Sequence, residues 1–522
     1  MLVASVYLLR FDRVVGLFVD DAWYVLLAKA LSQGDGFLLI SSASTPIPPN
    51  VPPGFPAMLA LCFRVAPDFP ANVPLLKSVS IASMFAVGPI TYLYLIRYRG
   101  LPWPLGLGIA VATLVTPGLV FLATSTVMAE CVFTAGQMAT LLVVERSVRG
   151  TGEGAGLGAT VLAAALASAT LLVRSTGIAL VAAVALYLLM LGRWRRAMVF
   201  GLVTIVCVAP WSIYARAHAP TAAQRTEHGG SIAYAYDDAM RMRVAGRPTF
   251  GVATAADIAN RVLMNVVNVL GRDVGAIVVP VFFRGAEESG QEVTSLGRAL
   301  GLPPGSMGNS PVTLSISLVL SVICAGGYIT VCRERVTAAE LLVPLSIGLA
   351  LLVPFWTYRY ILPLAPFVFL YLLAGIRAVA PLIARSRDAA LRDPWKAARI
   401  AILSIICLDA ADHAQYLVAA RTNPERVDWI ADAREIDDVL AWMEQSLHDE
   451  AHVASTNPAL IYLRTGRKGF AMDDAERHWD RWKSSGVRYV VCLRPGVPLP
   501  SVSRPFNVLF RTSRHQLWIV EI

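Results

Sequence analysis

Residues 157–191 read LGATVLAAALASATLLVRSTGIALVAAVALYLLML. A membrane crossing takes about 20 apolar residues, so the stretch is too long for one helix and too short for two ideal ones. Arg174-Ser175-Thr176-Gly177 interrupts it. The reading that fits is two short helices, 157–173 and 176–191, joined by a turn at a membrane surface. The rest of the chain agrees. Of 522 residues, 56% are hydrophobic and 16% charged, and the mean hydropathy is +0.58. Soluble domains carry about a quarter charged residues. The apolar residues come in unbroken runs, not in the alternation of a membrane barrel, so the chain is an α-helical integral membrane protein.

Further runs of spanning length lie at 78–96, 105–123, 127–144, 197–215, 312–331, 339–355, 360–378 and 399–418. An N-terminal span ending before Asp20 brings the total to about eleven. MLVASVYLL is too short to cross, which points to a truncated first helix. Net charge is +9; in a membrane protein the position of the arginines matters more than the total. They cluster at 97–99, 146–149, 193–196, 333–335 and 385–396. These loops alternate correctly with the spans if all are cytoplasmic. The opposite, outer side then receives 20–77, 124–126, the turn at Arg174, the loop 216–311, the turn 356–359 and everything after about 420. The seven cysteines are scattered, with no metal-ligand spacing and no disulfide framework.

Chemistry-bearing residues collect on the outer side. Asp20 and Asp21 open the run 22–31, which has helical periodicity, is too short to cross, and is expected to lie along the interface. One reading makes the pair an N-cap and a dipole partner. The other makes one carboxylate a general base and its neighbour, about 100° away, a support. Glu130 sits at the outer end of an apolar helix, where a carboxylate faces protein or water. It is either an ordinary helix-end acid or an acceptor or metal ligand beside Asp20. Arg174 and Arg359 break the charge rule by lying at outer edges. They either snorkel to headgroups or hold an anion, which guanidinium binds bidentately. Lys77 is a further candidate. The loop 216–311 carries Asp237-Asp238 and an amphipathic stretch but no defined motif.

After residue 420 the composition becomes soluble. IDDVLAWMEQSL, ALIYLRTG and AERHWDRWKSSG read as helices, and HVAST, RYVVCLR, FNVLFRT and QLWIVEI as strands. The division is a membrane domain, 1–420, with outer loops 20–77 and 216–311, and a small α/β domain, 421–522.

Several segments, in order along the chain, resemble the multispan GT-C glycosyltransferases that use polyprenyl-phosphate sugars, the aminoarabinose transferases and protein O-mannosyltransferases among them. They are VDDAWYVLLAKALSQGDGF with PPGFPAMLAL, TSTVMAECVF, TYRYILPLAPF, and VASTNPALIYLRTGRKG with SSGVRYVV. The resemblance implies a GT-C fold in a bacterial cytoplasmic membrane, with the C-terminal domain extracytoplasmic. It implies a polyprenyl-phosphate-linked sugar donor, a lipid, glycan or protein acceptor, contact with membrane lipids, and no nucleic acid. Asp20 matches the base and Asp21 its acidic neighbour. Arg359 matches the arginine before the proline-bearing span, and Glu130 an acid at the outer start of the fourth span. The mechanism this implies places the leaving lipid phosphate on Arg359 and Arg174. Lys77 for the donor phosphate, and Glu130 for the acceptor or a metal, stay candidates read from their positions. The resemblance leaves open a divalent ion at Asp20 and Glu130, with no other cofactor. A lipid-linked saccharide flippase or a non-catalytic scaffold is the alternative. A flippase would place charges near the midplane, whereas here they gather at one face.

Overall fold

A computed structural model of the chain describes all residues except 1, 50, 150–152, 235, 245–249, 281–310, 384–393, 448–449, 473–474, 501–504 and 515. Residues 157–191 fold as α8 (Glu153–Val173) and α9 (Ile178–Met190), broken by a 3-10 turn at Ser175–Gly177. A Cβ on Gly177 would press on the backbone of Leu171, so the turn closes only with glycine there.

The other apolar runs are helical too. They form α4 (Val73–Tyr98), α5 (Trp103–Val115), α6 (Pro117–Thr124), α7 (Glu130–Arg149), α10 (Trp194–Ala217), α15 (Pro311–Glu334) and α16 (Ala338–Leu352), while the loop after α10 holds α11 (Ala222–His228), α12 (Tyr236–Arg241), α13 (Ala255–Asn268) and α14 (Val274–Val278). The short helix α17 (Tyr358–Ile361) runs through a 3-10 turn into α18 (Ala365–Ile383), and α19 (Pro394–Thr422) follows. Among the described residues, five helices are long and apolar enough to cross a membrane, or six if the bent pair α5–α6 is one span. That is fewer than the eleven expected, because the rest are shorter or, like α7 and α19, carry buried polar side chains. The chain is a multi-pass membrane protein. The N-terminal helix α1 (Leu2–Arg10) spans only 9 residues.

The basic loops meet at one end of the bundle. Arg149 donates to the carbonyls of Arg97 and Tyr98, Arg99 pairs with Glu340, and Arg335 pairs with Glu145. Much of the fifth basic cluster lies outside the described residues. The helices α15 and α18 cross backbone to backbone, since a Cβ on Gly327 would collide with the Tyr371 carbonyl and one on Gly375 with that of Ile323.

At the other end, α2 (Asp20–Gln33) is stopped by Gly34 in the left-handed region, φ 86, whose N–H returns to the Ala30 and Leu31 carbonyls. This helix does not lie along a lipid surface as expected. Ala22, Val25, Leu26, Leu27, Ala28 and Ala30 are all buried. They pack between α3 (Gly54–Val65) and a helix of the C-terminal domain, and each buried leucine contributes roughly 1.5–3 kcal/mol.

The C-terminal domain holds α20 (Asp428–Ser446), α21 (Pro458–Thr465) and α22 (Ala475–Ser484). Its mixed sheet has the order β2-β1-β3-β5-β4. The strands are β1 (His452–Ser455), β2 (Gly469–Ala471), β3 (Val487–Cys492), β4 (Asn507–Arg511) and β5 (Trp518–Glu521). β2, β1 and β3 are parallel; β5 pairs antiparallel with β3 and β4. Alternation sends Val453, Tyr489, Val491 and Ile519 toward α2, α20 and α21. It sends Ala454, Val490, Cys492 and Trp518 toward Trp479 and Trp482 of α22. The core beneath the sheet is therefore continuous with Leu26, Phe55 and Leu59 of the membrane-side helices.

Candidate active site

Asp20 is the first residue of α2, and the backbone turns sharply to present it. Val19 has φ 62 and ψ −50, and the Asp20 N–H donates back to the Phe18 carbonyl. A positive φ at a β-branched residue is a strained outlier of the kind found at functional sites. The Asp20 carboxylate is 51% exposed and lines a cavity of about 510 Å³. The enclosing cavity walls raise its pKa, the nearby Arg359 opposes the rise, and the carboxylate's opening to cavity water tempers both.

Asp21 points the other way and is fully buried. Its Oδ2 accepts the Gly16 N–H at 2.8 Å and its Oδ1 the Ala22 N–H at 3.0 Å. Burial pushes its pKa up to about 6 against these two hydrogen bonds. The doublet thus divides into an acid in the cavity and an acid that braces the loop before it.

Arg359 stands in α17, just ahead of the 3-10 turn Leu362–Leu364 that carries Pro363. Its Nε and Nη2 donate to Glu130 Oε1 at 3.0 and 2.9 Å, and its Nη1 reaches Asp20 Oδ2 at 3.4 Å. Arg174, presented by the break between α8 and α9, bonds the same Glu130 oxygen. Both arginine side chains are 11% exposed and line the cavity, while Glu130 is completely buried beneath them. Two acids and two arginines, each from a distant part of the chain, therefore form one connected set: Asp20, Arg359, Glu130, Arg174. The Arg359 guanidinium also lies 5.4 Å from the Phe18 ring centroid and that of Arg174 5.4 Å from Tyr360.

Lys77 does not join them. It is fully buried, with Nζ on Asp12 Oδ1 at 2.8 Å and on the Thr124 carbonyl at 3.0 Å. It ties down the strap 11–19 that leads to Asp20. Sequence alone could not give this, because Asp12 and Lys77 are brought together by the chain path and not by spacing.

The divalent ion left open by the sequence would meet carboxylates already engaged by arginines, although Glu130 Oε2 is buried with no hydrogen-bond partner among the described residues. Both arginines occupy Glu130 Oε1, and Arg359 already pairs with Asp20. Among the described residues no group of three His, Cys, Asp or Glu side chains could hold a metal. In the loop 216–311, Asp238 pairs with Arg225 at 2.6 Å.

The C-terminal domain supplies part of the cavity wall. Thr456 and Asn457 follow β1, Met472 follows β2, and Leu493 and Arg494 follow β3; Asp432 of α20 completes that side. These residues carried no assignment in the sequence. The available signal was topological: ligands gather at the carboxyl ends of parallel strands. Trp23, Tyr24, Trp356 and Tyr360 add an aromatic wall. Chemically, the cavity offers a base on one side, two cations beside it, and flat apolar faces around them.

Compared as a whole, the chain is similar to the crystal structure of ArnT from Cupriavidus metallidurans in the apo state. The TM-score is 0.55 and the identity 12%, over 99% of this chain and 96% of that one. It is also similar to the archaeal oligosaccharyltransferase AglB from Archaeoglobus fulgidus in complex with an inhibitory peptide and a dolichol-phosphate. There the TM-score is 0.50 and the identity 11%, over 94% of this chain and 69% of that one. The same oligosaccharyltransferase in complex with Zn and sulfate gives a TM-score of 0.52 at 13% identity, over 94% and 68%. No family model and no curated protein matches the chain. Both neighbours are membrane glycosyltransferases of the GT-C type, and the fold of this chain is GT-C.

Proposed function

We infer that the chain is a glycosyltransferase that moves a sugar from a polyprenyl-phosphate carrier to an acceptor hydroxyl, with inversion, at the extracytoplasmic face of a bacterial cytoplasmic membrane. The observation that carries this reading is the Asp20–Arg359–Glu130–Arg174 set, opening on a cavity at the end of the bundle opposite the basic loops. The donor's isoprenoid tail lies in the bilayer and its phosphate at the interface, within reach of the two arginines.

Asp20 takes the proton from the acceptor O–H as that oxygen attacks the anomeric carbon. The bond from that carbon to the phosphate oxygen breaks, and its electron pair leaves on the lipid phosphate. Arg359 and Arg174 stabilise the departing anion, a contribution of about 3 kcal/mol in a partly dry site. Positioned base catalysis adds about 10²–10⁴-fold. Glu130 holds both guanidinium groups at the cavity edge. The acceptor, whether lipid, glycan or protein, enters on the side walled by the C-terminal domain.

The test uses membranes from a strain lacking the chain, whose polyprenyl-phosphate-sugar pool is radiolabelled. Added wild-type protein moves label to an envelope acceptor, and Asp20→Asn lowers the rate at least 100-fold. Full transfer by the Asn variant refutes the base assignment. Lipid-linked label crossing the membrane without any glycosidic product points to the flippase alternative.

A further inference from the structure

The strap 11–19 is fixed at Gly16. This residue has φ +96, and a side chain there would run into Leu460 of α21. Its N–H donates to Asp21 Oδ2 at 2.8 Å, and its carbonyl accepts from Asn457 Nδ2 at 3.1 Å. Val19 N–H closes a turn on the same carbonyl at 3.4 Å. The strained turn that aims Asp20 thus hangs from one residue, Gly16, whose carbonyl is held by the C-terminal domain.

Asn457 is 2% exposed, and its amide has only one workable orientation. Oδ1 accepts the Leu460 N–H at 3.1 Å and so caps α21. The nitrogen must therefore face the Gly16 carbonyl, which can only accept. The two halves of one side chain do different jobs: the oxygen starts a helix, and the nitrogen reaches across to the strap before Asp20.

We propose that Asn457 is a positioning residue for Asp20, through which the C-terminal domain sets the aim of the base. The inference rests on Asp20 being that base. It gives the C-terminal domain a part in the chemical step without contact with the reacting atoms.

Asn457→Asp separates the two jobs. Aspartate caps a helix as well as asparagine, has the same size, and when ionised offers no donor to Gly16. With the full-length variant in radiolabelled membranes, kcat is expected to fall about tenfold, as for one hydrogen bond lost from the reacting geometry. KM for the labelled polyprenyl-phosphate-sugar pool stays within about twofold of wild type by the same reasoning. Backbone hydrogen exchange of residues 14–20 accelerates. Leu463→Ala is the control: it is a buried leucine of α21 that belongs to the shared core and is not among the atoms meeting Gly16. It lowers thermal stability and leaves kcat and exchange in the strap unchanged.

Wild-type kcat in Asn457→Asp overturns the proposal. So does an equal loss of kcat in Leu463→Ala at matched loss of stability, which would make the effect general unfolding. If Asn457→Asp does not accumulate in membranes, Asn457→Ser keeps a cap and shortens the reach, and the same two outcomes decide. Asp20→Asn is run alongside. If it transfers sugar normally, the base reading fails by itself, whatever Asn457 does.

Discussion

Replacing Glu130 by Gln tests whether Arg359 is divided between two acids. In the native protein Arg359 gives two nitrogens to Glu130 at 3.0 and 2.9 Å and one, at 3.4 Å, to Asp20. Gln keeps the shape and one acceptor oxygen but removes a full charge. Two consequences reach Asp20 with the same sign: a neighbouring negative charge disappears, and Arg359 is released toward the remaining carboxylate. Carboxylates bridged by one guanidinium lie about 7 Å apart, and at an effective dielectric near 20 their repulsion is about 2 kcal/mol. Because Asp20 is 51% exposed, water reduces this to about 1 kcal/mol, somewhat under one pH unit. The base works ionised, so activity falls as pH drops through its pKa. Removing Glu130's charge lowers that pKa, and the acid limb of kcat moves to lower pH by about that amount. Losing the charged acceptor beneath the two guanidinium groups costs roughly 1–3 kcal/mol of stability. Sugar transfer by wild type and Glu130→Gln, followed across the acid range in the same labelled membranes, gives the comparison. An acid limb that stays in place, or moves upward, shows that Glu130 and Asp20 do not share Arg359.

The turn at Val19 predicts a difference between two small residues: Val19→Gly should be more stable than Val19→Ala by about 1–2 kcal/mol, since only glycine escapes the left-handed penalty; equal melting temperatures would deny the strain. At the crossing of α15 and α18, Gly327→Ala should cost 1–3 kcal/mol or more through overpacking. Gly326→Ala, which meets nothing within 4 Å, should be tolerated; comparing their thermal stability in detergent checks the close approach. Asp409 in α19 is buried with neither carboxylate oxygen hydrogen-bonded among the described residues. Asp409→Leu should therefore raise stability by about 1–3 kcal/mol, and a lower melting temperature would show that the acid has a partner.

Most of the helical layout was legible because long apolar runs and basic loops are local signals. The break at Arg174 could be read from four residues. What could not be read was which partner each polar group would find. Lys77 looked like a phosphate ligand because its position in the outer half of a span is local, but Asp12 claims it. Asp20 and Asp21 look equivalent in sequence, and only the turn at Val19 decides which one meets the cavity. The run 22–31 has the periodicity of an interfacial helix, yet another domain covers it, and nothing nearby in the chain announces that cover. Strand β2 is only 3 residues long, shorter than any pattern of alternation can show. Arg494 follows a recognisable strand, but its place at the cavity depends on the neighbouring strands β1 and β2 ending at the same edge.

The continuous core that joins α2 to the C-terminal sheet has a consequence for biogenesis. During translation α2 emerges hundreds of positions ahead of the residues that will shield it. Its greasy flanks must stay uncommitted, or in a holding partner's care, until β1, α21 and β3 arrive. Contacts of such long sequence separation close late. Premature termination upstream of the sheet should therefore yield an inserted bundle with an open, unready pocket, so that competence for chemistry reports a finished polypeptide.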